Sequence, residues 1–87
     1  MTLRRDAAGG VCSLGRAMLN AQLEHMTQKE VARAVSRFTR KRVSQSTISK
    51  LATGRLVTDS YELRRALERQ AGIPIDAWDQ AADDCAA

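Results

Sequence analysis

The reading turns on Thr27-Gln28-Lys29-Glu30-Val31-Ala32, then Val43-Ser44-Gln45-Ser46-Thr47-Ile48-Ser49-Lys50-Leu51, then Gly54-Arg55. Thr27 and Glu30 have the spacing of a capping box. In such a box the threonine hydroxyl accepts from the glutamate amide, and the carboxylate accepts from the threonine amide. Met26 and Val31 flank this cap as a hydrophobic staple. Val31, Ala32, Val35 and Phe38 continue one apolar face, so a helix starts after Thr27 and ends between Ser36 and Lys41. Ser44 is a second cap, and Val43 with Ile48 repeats the staple spacing. Ile48, Leu51 and Ala52 form the buried stripe of the next helix, which Gly54 stops. Its other face is Gln45, Ser46, Ser49, Lys50 and Thr53, polar and without an acidic residue.

Working outward, a helix over Leu14 to His25 follows a Ser13 cap, with Leu14, Ala17, Met18 and Ala21 at helical spacing. Another runs from Ser60 to Ala71, started by Asp59 with Glu62 and closed by Gly72. Pro74 cannot continue it, and Asp76 caps a short last helix that carries Trp78. No segment alternates like a strand. The expected fold is therefore all-α, with five helices in one compact domain at residues 13–82. A flexible arm at 1–12, broken by Gly9-Gly10, and a tail at 83–87 complete the chain. Arg4 and Arg5 lie in that arm, which is read as a tail without a role. A length of 87 residues supports one small domain rather than two.

The formal charge of +4 is unevenly distributed. Residues 27–56 hold eight basic residues and one acid, Glu30, a net +7. Residues 57–87 hold three basic and seven acidic residues, a net −4. A basic middle with an acidic tail points to a polyanionic partner for the middle. On charge, Arg37, Arg40, Lys41 and Arg42 are expected to bind phosphate rather than only to solvate a loop.

Other classes are set aside. No long apolar run suggests a membrane span or a signal peptide, so a cytoplasmic protein is expected. Cys12 and Cys85 are read as two inert thiols rather than a terminal disulfide. One histidine, His25, and no paired cysteine spacing argue against a zinc site, and no cofactor is expected. No nucleophile, base and orienting group stand out together, so no enzyme is expected. Phe38, Tyr61 and Trp78 are scattered rather than arranged as a stacking platform, which weakens an RNA-binding reading.

On the residues quoted at the start, the chain resembles the lambda-repressor-like DNA-binding domains, which include the Xre/Cro-type bacterial regulators. The likeness runs on through Ala66-Leu67 and Ala71-Gly72-Ile73-Pro74-Ile75, and so over about residues 14–80. It departs from that family at two places. The turn between the two helices is usually short and often contains glycine; here Ser36 to Val43 is longer and more basic, similar to the connection of the POU-specific domain. Ala52 also stands where the family often has a glutamate before the closing glycine, removing a possible buttress of the recognition helix.

The resemblance implies a helix-turn-helix that binds double-stranded DNA sequence-specifically and regulates transcription as a repressor. It implies that Gln28 bonds a phosphate and braces Gln45, and that Gln45 reads a base. Adenine fits best, because its N7 and N6 match the acceptor and donor of a glutamine amide. Ser46 and Lys50 become further base-facing positions, with Ser49 beside them on the polar face. Ser44, Thr47 and Arg55 become backbone contacts, and Lys29 joins them. A module this small reads few base pairs, so a homodimer on a palindromic operator is expected. Ile73, Ile75 and Trp78 are its candidate contacts, although Trp78 suits a core equally well. The alternative is an antitoxin or phage accessory protein whose main partner is another protein. Its handle would be Asp76, Asp79, Asp83 and Asp84.

Overall fold

Capping chemistry sets where the helices begin. The computed structural model describes residues 3–82 and has four α-helices: α1 Leu14–Gln22, α2 Gln28–Val35, α3 Gln45–Ala52 and α4 Tyr61–Ala71. A 3-10 turn, Ser36–Phe38, prolongs α2, and a second, Ile75–Asp79, follows α4. The described residues hold two isolated β-bridges and no sheet, so the architecture is all-α.

Each α-helix starts on a hydroxyl that satisfies an otherwise orphaned amide. Ser13 accepts from the Arg16 amide at 3.0 Å, and Ser44 accepts from the Thr47 amide at 3.2 Å. At α2 the box is complete, with Thr27 Oγ1 to the Glu30 amide and Glu30 Oε1 to the Thr27 amide both 3.1 Å. The cap of α4 is Ser60 rather than Asp59, because the extended backbone of Ser60 aims its hydroxyl at the Leu63 amide. α1 ends at Gln22 rather than His25. The Glu24 and His25 amides turn back tightly onto the Ala21 and Gln22 carbonyls. The segment expected as a fifth helix is the 3-10 turn behind Pro74.

Leu19, Val31, Val35, Ile48, Leu51, Leu67, Ile73 and Trp78 fill the core. The inner face of α1 is centred on Gly15, Arg16 and Leu19, rotated from the expected stripe, and Ala21 is exposed. The turn that carries Trp78 packs against this face, and its indole closes on Gly15 so that any Cβ there would clash with the ring. Ile73 is 0% and Trp78 1% exposed. Both belong to the core of the monomer, which corrects their place as dimer contacts. Ile75 is half-buried.

Residues 3–12 are folded rather than a free arm. Asp6 accepts from the amides of Ala8 and Gly10 at 3.0 and 2.8 Å, turning the chain so that Arg5 pairs with Val11. The Val11 amide donates to the Gly54 carbonyl at 3.0 Å, and Leu14 donates to Gln80 at 2.8 Å. Gly54 has φ 73°, and a side chain there would run into the backbone of Val11.

Buried Arg16 joins this turn to α3. Its Nη2 meets Asp6 Oδ2 at 2.7 Å and its Nε donates to the Ala52 carbonyl at 3.0 Å. Asn20 donates to the same carbonyl at 3.0 Å. The support expected to be lost with a glutamate at position 52 is thus supplied by α1 through the backbone of Ala52. Cys12 is disulfide-bonded, which corrects its reading as an inert thiol. Cys85, the only other cysteine, lies with the expected tail 83–87 outside the described residues. No described helix is long and apolar enough to cross a membrane.

Candidate nucleic-acid interface

Helix α3 packs its Ile48, Leu51 and Ala52 side against α2 and α1, which leaves Gln45, Ser46 and Lys50 exposed and Ser49 half-buried. Gln28, the first residue of α2, is half-buried beside this face. Gln28, Gln45, Ser46, Ser49, Lys50 and Arg55 line one open cleft of about 450 Å³. The four expected base-facing side chains therefore stand together, with Gln28 and Arg55 at their rim. No lining residue of this cleft is acidic. Gln28 and Gln45 share the cleft, but no hydrogen bond joins them among the described residues, so the expected brace is absent here.

The connection from α2 to α3 is shaped by one hydroxyl. Ser36 Oγ donates to the Ala32 carbonyl at 2.7 Å and accepts from the Val43 amide at 2.8 Å. This folds residues 37–42 into an exposed bulge and returns the chain to α2 just before the Ser44 cap. Thr39 Oγ1 donates to the Lys41 carbonyl at 2.6 Å, and the Arg40 amide donates to Glu62 Oε1 of α4 at 2.9 Å. The backbone of the bulge is thus pinned, while Arg37, Arg40, Lys41 and Arg42 are exposed.

A second cleft, of about 590 Å³, lies between α2 and this connection. Lys29, Arg33, Arg42 and Ser44 line it, with Gln45, which also lines the first cleft. Arg37, Arg40, Lys41 and Thr47 line neither cleft. Thr47 is half-buried, with its hydroxyl 3.0 Å from that of Ser44. Arg33 has no place among the residues the sequence singles out. Its available signal is its spacing of four from Lys29, which puts both on one side of a helix.

The ion pairs among the described residues are Arg16–Asp6, Arg64–Asp79 and Arg65–Glu68. None uses a cation from the basic middle of the chain. Glu30 is the one carboxylate there, and it is occupied by the Thr27 amide, whose hydrogen bond holds it below the usual carboxylate range. The acidic end is partly used internally. Asp79 takes a two-pronged contact from Arg64 at 2.7 and 3.0 Å, which lowers its pKa, and Asp76 accepts from Gln80. Asp83 and Asp84 lie outside the described residues.

Chemically, this side of the molecule offers amide and hydroxyl groups that donate and accept, set among cations that form no ion pair among the described residues. No protein-family model, no curated protein and no solved structure matches the chain.

Proposed function

We propose that this protein is a sequence-specific double-stranded DNA-binding regulator of the lambda-repressor-like, helix-turn-helix type, acting as a repressor. The observation that carries the reading is the cleft shared by Gln28, Gln45, Ser46, Ser49, Lys50 and Arg55, which no carboxylate lines and whose neighbouring cations form no ion pair among the described residues. The major groove of B-DNA admits one helix, and residues near its N-terminus reach the base edges. Gln45, Ser46, Ser49 and Lys50 lie in this order from the N-terminus of α3 along its exposed side. Short serines let the helix sit deep, and Gln45 offers the paired donor and acceptor that suit adenine. Lys50 meets guanine or a phosphate. Gln28, Lys29, Ser44, Thr47 and Arg55 with the bulge cations Arg37, Arg40, Lys41 and Arg42 supply the sequence-independent part of the affinity.

Binding as a homodimer belongs to the same reading, since one module of this size covers few base pairs. Its contacts are not Ile73 and Trp78, which are core. Selection of bound sites from random duplexes tests the whole proposal. An enriched palindrome supports both the specificity and the dimer. Recovery of unenriched sequence rejects base reading and leaves only non-specific attraction.

A further inference from the structure

The second cleft does work that base reading does not require. Lys29 and Arg33 project from one side of α2, four residues apart. Arg42 lines the same cleft, next to Val43, whose amide donates to the Ser36 hydroxyl at the end of α2. Three cations thus converge on one space, and no residue lining it carries a carboxylate.

The N-terminus of α3 opens into the same space through Ser44 and Gln45. The first amides of a helix have no partner within it and carry the positive end of its dipole. No acidic residue in the first turn of α3 offsets that charge. Glu30, three residues before Arg33, accepts from the Thr27 amide at 3.1 Å and also feels the charge of Arg33, but it does not line the cleft.

We propose that this cleft binds a single phosphate group, and that Arg33 is one of its ligands beside Lys29 and Arg42. Guanidinium groups match phosphate oxygens two at a time, and Arg33 and Arg42 supply two such forks. At about 590 Å³ the cleft exceeds a bare anion and leaves room for the organic part of a phosphoester. That phosphoester is either a backbone diester of duplex DNA, in which case the site rests on the function proposed above, or a free phosphorylated small molecule.

The test is an amide NMR titration with inorganic phosphate, run against chloride at constant ionic strength, on the intact chain and on Arg33→Ala. Arg33 is exposed, so this variant keeps its fold. Saturable shifts at the amides of Gln45 and Ser46, specific to phosphate and weakened about fivefold or more in Arg33→Ala, support the site. Absence of a saturable response in the intact chain, or an equal response in the variant, overturns it.

A competition arm then separates the sources. Displacement of phosphate by duplex DNA assigns the site to the backbone; undisturbed phosphate binding at saturating duplex assigns it to a free phosphoester. If the intact chain binds phosphate but no duplex, the DNA reading falls while the phosphate site stands. If Arg33→Ala binds duplex with unchanged salt dependence and phosphate equally well, the site falls while the DNA reading stands.

Discussion

Replacing Ser36 with alanine tests how the connection is held. The hydroxyl donates to the Ala32 carbonyl at 2.7 Å, with the Val43 carbonyl a longer second acceptor at 3.2 Å, and it accepts from the Val43 amide at 2.8 Å. The Ala32 carbonyl keeps a partner in the Ser36 backbone amide, but the half-buried Val43 amide loses the hydrogen bond it has in the structure. An unsatisfied buried amide costs about 1–3 kcal/mol and the donated bond about 1 kcal/mol. Exposure of Val43 to water places the first term near the low end, and the better helix propensity of alanine returns at most about 0.5 kcal/mol. The net loss is about 2 kcal/mol. For a domain of this size that lowers Tm by roughly 8–16 °C. Thermal unfolding followed by circular dichroism reads the loss, and amide hydrogen exchange at Val43 reads its cause. A Tm within about 2 °C of the parent, with Val43 still protected, refutes the assignment of Ser36 as the anchor.

Gln45→Ala is expected to cost about 1–3 kcal/mol at one operator position and leave the salt dependence unchanged, measured by binding to a panel of single-base operator variants. Lys41→Ala should do the opposite, weakening all duplexes alike and reducing the salt slope by about one. Gly15→Ala forces a methyl group into the Trp78 ring and should destabilise by about 1–3 kcal/mol or more, read by denaturant titration with tryptophan fluorescence. The hydrogen bond and ion pair from Arg16 hold the Asp6 carboxyl below its ordinary range. Its folded pKa is depressed, so its stabilisation is present above about pH 4 and is lost as pH falls through the lower folded value. Asp6→Asn should therefore lower the denaturation midpoint at pH 7 and differ less from the parent at pH 3, where the parent has lost the same contribution; an equal deficit at both values contradicts the ion pair.

The start of α2 and the cap of α3 are legible in the sequence because a capping box and a serine cap are local devices. Thr27, Glu30 and Ser44 act within four residues of themselves, and the structure has each bond where the spacing puts it. The grouping of Gln45, Ser46, Ser49 and Lys50 follows from helical periodicity in the same way. The ends of elements are less legible. α1 stops three residues early and Trp78 rides on a 3-10 turn because chain reversals are shaped by what lies opposite them.

By itself, then, the sequence determines an all-helical chain, a polar and acid-free face on α3, and the concentration of cations between residues 27 and 56. Those properties depend on residue type and short-range spacing. Only the tertiary structure decides that Trp78 is core, because that depends on the empty space above Gly15, far away in the chain. Only it decides that residues 3–12 fold onto Gly54 and α3, through an ion pair and backbone bonds that no periodicity announces. It also turns a run of charges into a site. Lys29, Arg33 and Arg42 line one cleft where a serine hydroxyl closes the chain on itself, a contact between residues seven apart that helical periodicity does not announce.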